Sequence, residues 1–92
     1  MEETRLKRIR FRAWRRGFRE ADLILGPFAD IHGPNLTDDQ LVCFETLLDL
    51  PDHDVYGWIV GREAAPPEHD TDVLALIRDF HLIARTQRGL GA

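Results

Sequence analysis

Apolar residues recur every three or four positions along almost the whole chain, in five stretches interrupted by glycine or proline. That period is the helical one, and no stretch alternates as a half-buried strand would. The pattern therefore confines the chain to an all-α fold, a compact five-helix bundle in a single domain over residues 1–92. Short connectors favour antiparallel neighbours. A chain of 92 residues can bury only one thin core.

The five segments have readable boundaries. The first helix is expected over about 4–14, with Leu6, Ile9 and Ala13 inward and Arg5, Arg8, Arg12 and Arg15 as a basic stripe on another face. The second is expected over 16–31, with Phe18, Ala21, Leu25 and Phe28 inward and a bend at Gly26-Pro27. His32-Gly33-Pro34-Asn35 is a stop signal. The third, over 37–50, opens on Thr37 with Gln40 three residues on, a capping box, and buries Leu41, Phe44 and Leu48. The fourth, over 52–60, is expected to be capped by Asp52 and closed by a left-handed Gly61, with Val55 and Ile59 inward and Trp58 a further candidate. The fifth, over 70–86, carries a stripe of Val73, Leu76, Ile77, Phe80, Ile83 and Ala84, and 87–92 is expected to be a frayed tail.

Missing residue types exclude several chemistries. The chain has no serine, so serine-nucleophile catalysis is out. One cysteine, Cys43, can form neither an internal disulfide nor a thiolate zinc site, and reads as a small half-buried filler. His32, His53, His69 and His81 fall at no metal-ligand spacing. No glycine-rich phosphate loop is present. The expected class is a binding module and not an enzyme, with no metal and no cofactor of its own. No apolar run is long enough to span a membrane, and no secretory or mitochondrial leader is evident, so the expected location is the bacterial cytoplasm.

The charge is lopsided. Residues 1–19 hold eight of the twelve basic residues against two acids, a net +6, while residues 20–92 carry −10. A basic arm on an acidic body implies either a negatively charged partner or docking of the arm onto its own body. Nucleic acid is disfavoured, because the body repels a polyanion and no stacking platform or helix-turn-helix is evident. A regulatory or nucleic-acid binder using the basic stripe stays as the alternative function.

Two groups of residues stand out as candidate sites. Arg15-Arg16-Gly17-Phe18-Arg19-Glu20 places a glycine where two helical stretches meet. Gly17 either lets the chain turn or lets another backbone approach closely. Arg16 and Glu20, four apart, are either a surface ion pair on one helix face or a guanidinium and a carboxylate offered to a partner. Asp54, Tyr56 and Trp58 are the second group. At helical spacing they cannot all be buried, so the two rings either anchor an interface or cover the core edge.

The order of residues carries a further signal. The run Phe11-Arg-Ala-Trp-Arg-Arg-Gly-Phe-Arg-Glu-Ala-Asp-Leu-Ile-Leu-Gly-Pro-Phe-Ala-Asp30 resembles the signature of the succinate dehydrogenase flavinylation factors, the SdhE or assembly factor 2 family, whose mark is Arg-Gly-x-x-Glu. Leu36-Thr-Asp-Asp-Gln-Leu, Phe44-Glu-Thr-Leu-Leu and Pro51-Asp-His-Asp-Val-Tyr-Gly-Trp-Ile follow in family order, and the stretch from Gly61 to Thr71 is similar to the alphaproteobacterial branch. The likeness covers residues 5–86. Pro27 and His53 depart from the family pattern.

The resemblance implies a five-helix assembly chaperone that binds the flavoprotein subunit of succinate dehydrogenase, and also that of fumarate reductase. It would promote covalent attachment of FAD to a histidine of that subunit, the chemistry belonging to the flavoprotein. FAD would be carried by the partner, and the chain would act as a monomer in a transient 1:1 heterodimer. Arg16, Gly17 and Glu20 would face the partner near its flavin, with Arg15, Asp54, Tyr56 and Trp58 extending the surface.

Overall fold

The antiparallel pairing of the first two helices follows from three contacts whose numbers rise along one and fall along the other. In the computed structural model, which describes the backbone of residues 2–91 and the side chains of residues 4–86, α1 spans Glu2–Trp14 and α2 spans Arg19–His32. Leu6 lies against Gly33, the Arg10 Nε donates to Asp30 Oδ1 at 2.8 Å, and the Trp14 ring sits over Gly26. A Cβ built on Gly26 would lie 2.7 Å from Trp14 Cε3. The glycine is thus explained by close approach of a ring to the helix backbone. α2 runs through Pro27 without interruption from Arg19 to His32.

After a 3-10 turn at Gly33–Asn35, α3 covers Asp38–Leu48. Its start is the expected one: Gln40 N donates to Thr37 Oγ1 at 3.1 Å and Thr37 N to Gln40 Oε1 at 2.9 Å. α4 covers Asp52–Ile59 and closes where Gly61 takes φ +81°, a left-handed value that favours glycine. Residues 62–69 lead through a second 3-10 turn, Pro67–His69, into α5, Asp72–Gly91. The five helices are the regular elements among the described residues, with no strand. The radius of gyration, 12.7 Å, is close to the roughly 12 Å of a compact chain of this length.

The core is one cluster. Phe28 is its centre, with Phe44 edge-on at 5.4 Å between ring centroids and Phe80 edge-on at 5.7 Å. Ile9 and Ala13 from α1, Leu41, Leu47 and Leu48 from α3, Val55 and Ile59 from α4 and Val73 and Ile77 from α5 close around it. Each large side chain so buried contributes about 1.5–3 kcal/mol before the ordering entropy that opposes it.

Three expectations need correction. α2 begins at Arg19 and not at 16, so Arg16 and Gly17 belong to a loop. Asp52 is the first residue of α4 and not its cap, which is Pro51. In α5 the buried leucine is Leu74, whereas Leu76 and Ile83 are exposed. At about 1.5 Å per residue this twenty-residue helix is ~30 Å long. At about 100° per residue, Leu76 and Ile83 share a direction about a third of a turn away from that of the buried Val73, Leu74 and Ile77, so the exposed pair lies on a different face of the helix. The backbone stays helical to Gly91, five residues beyond the expected end at 86. The side chains of the expected tail, and Ala92, lie outside the described residues.

Candidate functional site: the loop between the first two helices

Residues 15–18 turn the chain between α1 and α2. Gly17 takes φ +83°, so the turn itself calls for glycine. A Cβ built there would meet nothing within 4 Å. The first sequence reading of Gly17 is therefore correct for the free chain, and the direction of its missing side chain is open for a second molecule.

Arg16 is held from several sides. Its backbone N donates to Asp22 Oδ1 at 2.7 Å. Its guanidinium crosses to the turn between α3 and α4, where it donates to the carbonyl oxygens of Leu48 and, at 2.8 Å, Leu50. It also pairs with Asp52 Oδ1 at 2.6 Å. Only 10% of the Arg16 side chain is exposed. This corrects the ion-pair reading of Arg16 and Glu20, and of the pair offered to a partner it corrects the guanidinium alone. Among the described residues no ion pair joins the two, and Arg16 points into its own protein. The α3–α4 turn leaves carbonyls that no helix satisfies, and a guanidinium fork is the group best shaped to collect them.

Phe18 fixes the far side of the loop. Its ring lies 4.7 Å from that of His53 and 5.0 Å, edge-on, from that of Tyr56. The His53 ring thus supports the loop. Phe18, Asp22 and Asp52 were not recognised as site residues. Phe18 read as core and Asp52 as a cap, and nothing in their local sequence marks the long-range contacts.

Glu20 is exposed, in the first turn of α2. The positive end of the helix dipole favours a carboxylate there. It stands on the rim of an open groove of about 380 Å³ between α2, α4 and α5, lined by Leu23, Ile24, Tyr56, Phe80 and Ala84. The structure so brings Glu20 and Tyr56 together. Tyr56 is half-buried, with the Arg62 guanidinium 5.8 Å from its ring centre. Asp54 is exposed on α4. Trp58 is not: it is 7% exposed, stacks on His69 at 5.7 Å, and its carbonyl accepts from Arg78 Nε at 2.9 Å. Of the two readings of Trp58, covering the core is the one found. Arg15 is exposed, its guanidinium 4.6 Å above the Phe11 ring.

Half of the basic arm is docked onto its own body. Arg5 pairs with Glu45 at 2.8 Å, Arg10 with Asp30 at 2.8 Å, Arg12 with Asp49 and Arg16 with Asp52. Four of the eight cations that could form a stripe for phosphates are thus engaged, which weakens the nucleic-acid alternative. Among the described residues no cluster of His, Cys, Asp and Glu is placed to hold a metal ion, and no helix is long and apolar enough to cross a membrane.

The family model described as flavinator of succinate dehydrogenase matches residues 7–81. The chain is 38% identical over 72 residues to a mitochondrial succinate dehydrogenase assembly factor 2 of Dictyostelium discoideum, covering 78% of this chain and 51% of that protein. It is 34% identical over 71 residues to the FAD assembly factor SdhE of Acetobacter pasteurianus, covering 77% and 65% respectively. With a mitochondrial assembly factor 2 of Meyerozyma guilliermondii the identity is 43% over 68 residues, covering 74% and 50%. The chain thus spans about half to two thirds of the length of these relatives.

Proposed function

This chain belongs to the succinate dehydrogenase flavinator family, and from that membership we propose that it is an assembly chaperone for the flavoprotein subunit of succinate dehydrogenase. It binds that subunit and promotes covalent attachment of FAD to one of its histidines. The family match over residues 7–81 is the observation that carries this reading.

The attachment chemistry belongs to the flavoprotein, which also carries the FAD. The factor contributes a surface and no reacting group. Its binding shifts the flavoprotein toward a conformation in which histidine and flavin meet, so the gain is one of positioning. The flavoprotein subunit of fumarate reductase is a second client. The factor works as a monomer in a transient 1:1 complex, in the bacterial cytoplasm.

The contact edge runs from Arg15 and Gly17 through Glu20 to Tyr56 and Asp54. What supports it is the open direction of Gly17 and the exposure of Glu20 beside Tyr56. Arg16 and Trp58 act from beneath, Arg16 by fixing the loop and Trp58 by filling the core under α4. The test is size-exclusion chromatography of the chain mixed with the unflavinylated subunit. A co-eluting 1:1 complex is expected, and separate elution of the two at micromolar concentration would contradict the reading.

A further inference from the structure

Half of the basic arm is not engaged by the body. Among the described residues Lys7, Arg8, Arg15 and Arg19 form no ion pair. Two large rings stand among these cations on the outer side of α1: Phe11 is 60% exposed and Trp14 41%. Lys7, Phe11 and Trp14 follow one another at helical spacing, so they share one face. With Arg10, Arg15 and Asp30 they line a shallow depression of about 450 Å³.

Both rings are held in place. Trp14 rests on the Gly26 backbone, and its Nε1 donates to Asp30 Oδ2 at 3.1 Å. The other oxygen of Asp30 takes the Arg10 bond already described. Phe11 carries the Arg15 guanidinium on its face. A partner that covers these rings would pay little ordering entropy. Exposed aromatic surface ringed by cations is the composition of an interface and not of an ordinary helix exterior.

We infer that the outer face of α1 is a second docking surface, for an acidic segment of the client flavoprotein that sets carboxylates around an apolar side chain. The inference rests on the function proposed above. Charge complementarity selects the occupant. Lys7, Arg8 and Arg15 call for anions, and Phe11 and Trp14 call for an apolar group between them. Asp30, inside the depression, is engaged by Arg10 and Trp14, and a short acidic segment can end before it meets Asp22. A nucleic acid following the same face runs on against the −10 charge of residues 20–92. The patch ends at Arg15, two residues before Gly17, so one partner can span both surfaces.

The test titrates the full chain against the purified cognate flavoprotein subunit, at low salt and at high salt. The probes are the double variant Lys7→Glu/Arg8→Glu and the single variant Phe11→Ala, with circular dichroism to confirm the fold. The double variant is expected to bind about tenfold more weakly at ~50 mM salt, the gap closing to about twofold at ~500 mM, where screening is nearly complete. Phe11→Ala is expected to weaken binding at both. Wild-type affinity in these variants, together with loss in Glu20→Ala, would overturn this inference and leave the proposed function standing. No binding by the wild-type chain would overturn both. Binding of a single-stranded DNA that the double variant loses, with flavoprotein affinity unchanged, would also overturn it.

Discussion

Arg16 and Asp52, thirty-six positions apart in the sequence, form an ion pair at 2.6 Å that joins the loop after α1 to the start of α4. The same guanidinium holds the carbonyls of Leu48 and Leu50. The arginine of the Arg-Gly-x-x-Glu motif is therefore a strut. It sets where Gly17 and Glu20 stand relative to Tyr56.

Removing that strut should cost stability first. Arg16→Ala is expected to lower unfolding free energy by about 3 kcal/mol, because it strands a carboxylate and two carbonyls that are largely shielded from water. Asp52→Ala leaves the carbonyl bonds and should cost about 1 kcal/mol. Urea denaturation measures both. An Arg16→Ala protein as stable as the wild type would mean that the side chain is not held as described.

Gly17 separates strain from contact. At φ +83°, Gly17→Ala should cost about 1–2 kcal/mol, and Gly17→Asn less, since asparagine tolerates that backbone better. Gly17→Arg should fold with a similar penalty and fail to bind the flavoprotein. Thermal melts alongside binding isotherms decide. Binding losses that simply track stability through the series would leave the open direction of Gly17 without a role.

Gly26→Ala should be destabilising by about 1 kcal/mol or more, although alanine normally improves a helix by that amount over glycine. Its new Cβ would force Trp14 off the α2 backbone. Against a Trp58→Phe background, the emission of Trp14 should shift to the red. An unchanged spectrum and a stabilised helix would show that the ring does not rest there.

Tyr56 and Trp58 should part company. Trp58→Ala opens the core and is expected to cost about 3–5 kcal/mol. Tyr56→Ala, at a half-buried site, should cost much less and weaken flavoprotein binding. If Trp58→Ala melts like the wild type, Trp58 belongs to the surface after all.

How far the sequence reaches depends on the range of the interaction. The Thr37–Gln40 box and the left-handed Gly61 are local devices with local signatures, and both stand where the residues place them. The apolar period placed α1, α3 and α4 within two residues of their observed ends. It misplaced the start of α2, because Gly17 and the Phe18 N-cap interrupt a run whose composition stays helical. In α5 it puts Leu76 in the core in place of Leu74, since apolar residues stand on more than one side of the helix and period alone does not choose the side that faces the bundle. At the candidate site, the motif falls on the loop between α1 and α2. The inward turn of Arg16 was hidden, because its partners lie in another connection and read there as a helix end.

The most direct measurement is covalent flavin on the cognate succinate dehydrogenase flavoprotein subunit, read as in-gel fluorescence after denaturation. The subunit is produced without the chain, with it, and with its Glu20→Ala variant. The account predicts strong fluorescence only with the wild-type chain and a clear fall with the variant. Equal fluorescence in all three samples would contradict the claim that this chain promotes flavin attachment.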